Sequence, residues 1–168
     1  AWPVRPGWIG AAVLLLVALA VRRHWDARRL AAGDDPGARE RQSWHAMAAL
    51  GVLSGHMIAA LMQQGDLHVG RGNTLALDNW TLLAAAAVGW VIVRPTRMDR
   101  DERDQEMAAR GAHVGYATLT VLLIGLSLIL GFAPPPVQER LPPFVLGNVL
   151  IVLIMLAALV KHGVQLVA

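Results

Sequence analysis

Long uncharged apolar runs alternate along this chain with short arginine-rich stretches. Crossing the roughly 30 Å hydrocarbon layer of a bilayer takes about 20 residues of helix, with a working range of about 17–25. Five runs come near that length: 8–21, 44–62, 76–93, 112–132 and 144–160. The first is short, but Trp8 can sit at one interface while Arg22 and Arg23 snorkel at the other. The third is cleanest from Trp80, with Ala76 and Leu77 extending it past Asp78 and Asn79. The pattern predicts an all-α integral membrane protein, a single domain over 1–168 built as a bundle of five transmembrane helices.

The punctuation agrees. Pro95 follows the third run and Pro134, Pro135 and Pro136 stop the fourth, because proline lacks the amide proton and clashes with the preceding turn. Pro142 and Pro143 open the fifth, where a missing N–H costs little. Asp35 before Pro36 reads as an N-cap and first-turn pair, so the second helix is expected to start ahead of the membrane. The charged stretch before the fourth run contains no breaker, and that helix is expected to enter the membrane without interruption.

Charge sets the orientation. The connections 22–43 and 94–111, with Lys161, hold 12 of the 15 cations, leaving Arg5, Arg71 and Arg140 for the other side. By the positive-inside rule these connections are cytoplasmic, the N-terminus is outside and the C-terminus inside. Ile9 to Val21 has the apolar core of a signal peptide and Ala18-Leu19-Ala20 the form of a cleavage site. The strong positive cluster comes after this core, however, and the segment is expected to remain as a span.

Composition narrows the choice of function. Apolar residues make up 55% and charged residues 16%, against about 45–50% and about 25% in soluble domains. The mean hydropathy of +0.47 points the same way. There is no cysteine, which excludes disulfides, cysteine metal ligands and thiol catalysis. The isoelectric point near 10.5 comes from arginines flanking spans, which suits topology and contact with lipid headgroups rather than nucleic acid.

Of the six histidines, His24, His45, His113 and His162 fall at one set of span ends, His68 in a connection, and His56 well inside the second run. His45 and His56 are eleven residues apart, which returns to within roughly 20° of one helical face. Stacked histidines are how membrane b-type cytochromes ligate haem, so His45, His56 and His113 are candidate ligands for a haem or chlorin-type tetrapyrrole. The simpler account makes them interfacial anchors and an interhelical hydrogen-bond donor. Gly51 with Gly55, and Gly111 with Gly115, form two GxxxG pairs, whose missing side chains let helix backbones approach.

The stretch 99–110 is the densest charge block, with i,i+4 pairs Asp99–Arg103 and Glu106–Arg110 supporting a solvated helix. Asp101, Glu102, Arg103 and Asp104 there form a candidate cytoplasmic interaction surface. Asp101-Glu102-Arg103-Asp104, then Ala108-Ala109-Arg110-Gly111 and Tyr116, lead into an uncharged span. Together with Phe132-Ala133-Pro134 and Leu146-Gly147-Asn148, this resembles the juxtamembrane signature, a DERD motif, of a group of small bacterial multi-span membrane proteins. The resemblance covers about the C-terminal 75 residues. It implies residence in the bacterial inner membrane, implies no activity, and carries over no site residues.

Enzyme signatures are missing. Ser54 and His56 are two apart on a helix, on faces roughly 200° from each other, so they cannot pair directly as nucleophile and base. No GxSxG, HExxH or Walker-type phosphate loop occurs. No inverted repeat or mid-membrane charge supports ion-coupled transport. The expectation is a non-enzymatic accessory, scaffolding or regulatory subunit of a larger membrane assembly, its partners the lipid bilayer and other membrane subunits, with no cofactor. The alternative is a tetrapyrrole-binding electron-transfer or pigment protein, and a small transporter or channel is the third possibility.

Overall fold

The computed structural model describes residues 5–32, 38–62, 74–94, 102–139 and 141–167. It is all-helical among those residues: α1 (Pro6–Ala32), α2 (Ala38–Met62), α3 (Thr74–Val93), α4 (Glu102–Phe132), the single turn α5 (Pro135–Gln138) and α6 (Pro143–Val167). All but α5 are long and apolar enough to cross a membrane. The chain is a multi-pass membrane protein by that criterion.

The helices run further than the apolar runs. α1 passes Arg22 and Arg23 and continues to Ala32, because Ala, Leu and Arg are good helix formers and no glycine or proline interrupts before Gly33. Arg22 also pairs with Asp26 one turn on, at 3.8 Å. α4 carries the charged stretch and the apolar run in one 31-residue helix. At 1.5 Å per residue it is about 46 Å long, half again the hydrocarbon thickness. α6 continues past Lys161 to Val167. Asp35, Pro36, His68, Asp99, Asp101 and the side chains of Arg103 and Asp104 lie outside the described residues.

Contacts between helices give their directions. Gly7 of α1 meets Asp78 of α3 at one end, and Arg22 meets the Ile92 carbonyl at the other, so α1 and α3 run parallel. α2 opposes both, since His45 reaches Ala86 and His56 reaches Asn79. Ser43 meets Gln165 while Met57 and Ala60 pack near Val152, which makes α6 antiparallel to α2. α4 opposes α6, with Gly111 against Gln165 and Gly115 against Ala157. The five long helices therefore alternate in direction. One end of the bundle gathers Arg22, Arg41, Arg94, Arg110 and Lys161.

Leu14, Ala49, Leu53 and Leu82 join α1, α2 and α3 in one apolar cluster. Met57, Ala60 and Val152 join α2 to α6 in a second. α4 packs chiefly on α6, outside both clusters. Its buried positions, among the described residues, are Gly111 and Gly115. At the far end of α4, the Gln138 side-chain amide donates to the carbonyls of Leu130 (3.1 Å) and Ala133 (2.9 Å), satisfying acceptors that a helix C-terminus leaves open.

Candidate functional site

The polar side chains buried between helices fall in two layers, one at the arginine-rich end and one near the opposite end. At the arginine-rich end Asp26 of α1 stands between Arg22 of its own helix and Arg41 of α2, at 3.8 and 3.7 Å. Arg41 is itself buried. Arg22 also donates to the Ile92 carbonyl at 3.2 Å, placing a cation at the C-terminus of α3, where the helix dipole favours it.

One helix further along, Ser43 of α2 meets α6. Its hydroxyl donates to Gln165 Oε1 at 3.1 Å and lies 3.2 Å from His162 Nδ1. A hydroxyl has one proton to give, so His162 Nδ1–H donates to it in turn. Gln165 then rests against α4, where a Cβ on Gly111 would fall 2.6 Å from Gln165 Cγ and 2.8 Å from the Lys161 carbonyl oxygen. A Cβ on Gly115 would fall 2.9 Å from Lys161 Cβ and 3.3 Å from the Ala157 carbonyl oxygen. Two glycines on α4 and one amide on α6 thus link α4 through α6 to α2.

Toward α3, His45 is 3% exposed and its Nε2–H donates to the Ala86 carbonyl at 2.9 Å. Gly89 gives the ring its room, since a Cβ there would lie 3.0 Å from Nε2 and 3.3 Å from Nδ1. With Nε2 protonated, Nδ1 is the bare nitrogen, buried and without a hydrogen-bond partner. In the layer near the opposite end, His56 Nδ1–H donates to Asn79 Oδ1 at 2.8 Å. Its neighbour Asp78 is 2% exposed and packed on Gly7, with Oδ1 unpartnered. A Cβ at Gly7 would lie 2.7 Å from the Asp78 Cα, so only glycine permits this crossing of α1 and α3.

The structure does not bring His45, His56 and His113 together. His45 and His56 both face α3, eleven residues or about 16 Å apart along α2. His113 is exposed on α4. His162 lies across α2 from His45, because its partner Ser43 is two residues from His45 and faces the other way. No group of three or more His, Cys, Asp or Glu side chains placed to hold a metal occurs among the described residues. Ser54 donates to the Leu50 carbonyl of its own helix, which turns its hydroxyl away from any nucleophilic role with His56.

The two GxxxG pairs occupy different surroundings. Gly111 and Gly115 sit under α6, whereas a Cβ at Gly51 would meet only Leu159 Cδ1, at 4.0 Å, and a Cβ at Gly55 would meet nothing within 4 Å. Glu102 is exposed at the start of α4, and the Glu106–Arg110 pair, at 3.9 Å, is exposed as well. Sequence reasoning missed Gly7 and Gly89, because neither has a second glycine four positions away to complete a GxxxG pair. It missed Ser43, Gln165 and the His162 contact because Lys161 reads as the end of a span. Asp78 had a signal, a carboxylate inside a helical apolar run, that was read as an interruption.

Chemically, these groups donate to and accept from one another across helix boundaries. They form no nucleophile–base pair and converge on no common point. Each is an interhelical tie of the kind that holds membrane helices together where lipid removes the hydrophobic drive. No known protein family, curated protein or solved structure matches this chain.

Proposed function

We propose that this chain is a non-enzymatic accessory or scaffolding subunit of a larger assembly in the bacterial inner membrane, with its arginine-rich end in the cytoplasm and its N-terminus outside. The observation that carries the reading is the position of α4. Its span, like that of α6, is 11% buried, against 33% for the spans of α2 and α3, and two glycines supply its buried positions. Outward it presents Tyr116, Val121, Ile124, Leu128 and Phe132, all exposed. Beyond the apolar stretch it extends about ten residues of charged helix, which fits a subunit that meets partners both in the bilayer and in the cytoplasm. Membrane helices associate through van der Waals packing and polar ties, and α4 spends little of its surface on either within the chain.

The test is site-specific photocrosslinking in native membranes from Val121 and Tyr116 on α4, with Leu16 on the exposed side of α1 for comparison. A discrete protein adduct from α4 and none from Leu16 is the expected result. Lipid adducts alone from all three positions, together with a free monomer after gentle detergent extraction, would overturn the reading.

A further inference from the structure

The long helices divide into two parts along the seam between α2 and α6. On one side α1, α2 and α3 share the Leu14–Leu82 cluster, and on the other α4 packs chiefly on α6. The seam changes character from one end to the other. Far from the arginines, Met57, Ala60 and Val152 meet in an apolar cluster that carries no titratable group. Midway, a Cβ on Gly51 would stand 4.0 Å from Leu159, and one on Gly163 would stand 3.8 Å from Met47. At the arginine-rich end the seam is closed by Ser43, 2% exposed, with Gln165 Oε1 at 3.1 Å and His162 Nδ1 at 3.2 Å. His162 is the titratable member of this clasp, and it follows Lys161, beyond the apolar run 144–160.

We propose that the clasp is a pH-sensitive catch: protonation of His162 releases the arginine-rich ends of α6 and α4 from α2, with the Met57–Val152 cluster as the hinge. The charges around the ring favour its neutral form. Lys161 adjoins it on α6 with like sign. On α2, Arg41 and His45 stand two residues to either side of Ser43 and so face away from α6, toward Asp26 and Ala86. Glu40, a turn before Ser43, is half-buried. On α4, Arg110 is paired with Glu106, and His113 is exposed. Among the described residues no carboxylate lies within ion-pair distance of His162. Burial, and after it the Lys161 charge, hold the His162 pKa below its usual 6.5, against an opposing pull from its hydrogen bond with Gln165. The docked helices therefore bind fewer protons than the parted ones, so docking is full above pH 6.5 and weakens as the pH falls below it. The neutral ring already gives its Nδ1 proton to Ser43, so the incoming proton settles on Nε2.

Spin labels on Trp44→Cys and Val167→Cys, exposed positions at the arginine-rich ends of α2 and α6, read this joint by pulsed distance measurement on the full chain in lipid nanodiscs. The chain has no other cysteine. One short distance is expected at about pH 7.5. At about pH 5.5 a longer one is expected, its population relative to the short one raised about two- to tenfold, within the limit of about tenfold per pH unit that one proton sets. His162→Gln keeps an amide donor for Ser43 but has nothing to titrate, and is expected to give the same distances at both pH values. Lys161→Gln is expected to shrink the response, and His113→Gln on α4 to leave it at the parent size. Should His162→Gln fail to fold, Lys161→Gln still decides. Unchanged distances in the parent, a response that survives in His162→Gln, or a full response in Lys161→Gln would each overturn the proposal.

Discussion

Replacing Gly111 by alanine adds one methyl group at the closest approach of α4 to α6. That methyl would lie 2.8 Å from the Lys161 carbonyl oxygen, whereas ordinary contact begins near 3.4 Å, so the two must part by about 0.6 Å. The carbonyl belongs to helix backbone and cannot rotate away. On its other side α6 is held to α2 by the Ser43–Gln165 and Ser43–His162 contacts, so α4 is the helix that lifts. A gap of about 0.5–1 Å forfeits a quarter to a half of each dispersion contact across it. Overpacking of this kind costs about 1–3 kcal/mol, or roughly 5- to 150-fold in the equilibrium between docked and undocked α4.

The matched control is Gly55→Ala, in which the same methyl meets nothing within 4 Å. It is expected to stay within about 0.5 kcal/mol of the parent, as open sites do. The chain has no cysteine, so dyes on Gln105→Cys and Val167→Cys report the separation of α4 from α6 without background. Energy transfer between them, followed as sodium dodecyl sulfate is titrated into neutral micelles, gives the undocking midpoint. A lowered midpoint for Gly111→Ala and an unchanged one for Gly55→Ala is expected. Equal midpoints for the two variants would refute the reasoning, because they share chemistry and differ in surroundings.

Further outcomes follow from the other contacts. Gly89→Ala drives a methyl into the His45 ring and is expected to destabilise the α2–α3 pairing by about 1–3 kcal/mol. His45→Leu removes a single interhelical hydrogen bond and is expected to cost about 0.6 kcal/mol, with a ceiling near 1.7. Both are read by the same detergent titration with the dyes moved to Met62→Cys on α2 and Thr74→Cys on α3, exposed positions at neighbouring helix ends, and a reversed order would contradict the packing account. Arg110→Gln breaks an exposed pair with Glu106 and is expected to change stability by less than about 1 kcal/mol. Because His45, His56 and His113 do not converge on a common point, protein purified from haem-replete cells is expected to be colourless. A Soret band lost in His45→Ala or His56→Ala would instead restore the tetrapyrrole reading.

The sequence was legible where a rule acts over a long window. Twenty apolar residues between arginines read as a span whatever the tertiary arrangement, and all five runs lie within long helices. The uninterrupted passage from the charged stretch into α4 was legible for the same reason, since nothing between Glu102 and Gly111 breaks a helix. What was not legible depends on which face meets which neighbour. Gly51-x-x-x-Gly55 and Gly111-x-x-x-Gly115 carry the same pattern, yet a backbone covers one pair and open space faces the other. The α6 ties lay hidden because Lys161 marks where charge returns, while the helix continues a further turn and a half and turns Gln165 inward.

The account depends most on five alternating crossings. Single cysteines placed at Arg5→Cys and Val167→Cys, probed in intact cells with a membrane-impermeant maleimide before and after permeabilisation, test it directly. Labelling of the first in intact cells, and of the second only after the membrane is opened, is the expected result. Identical labelling behaviour at the two positions would require an even number of crossings and contradict the account.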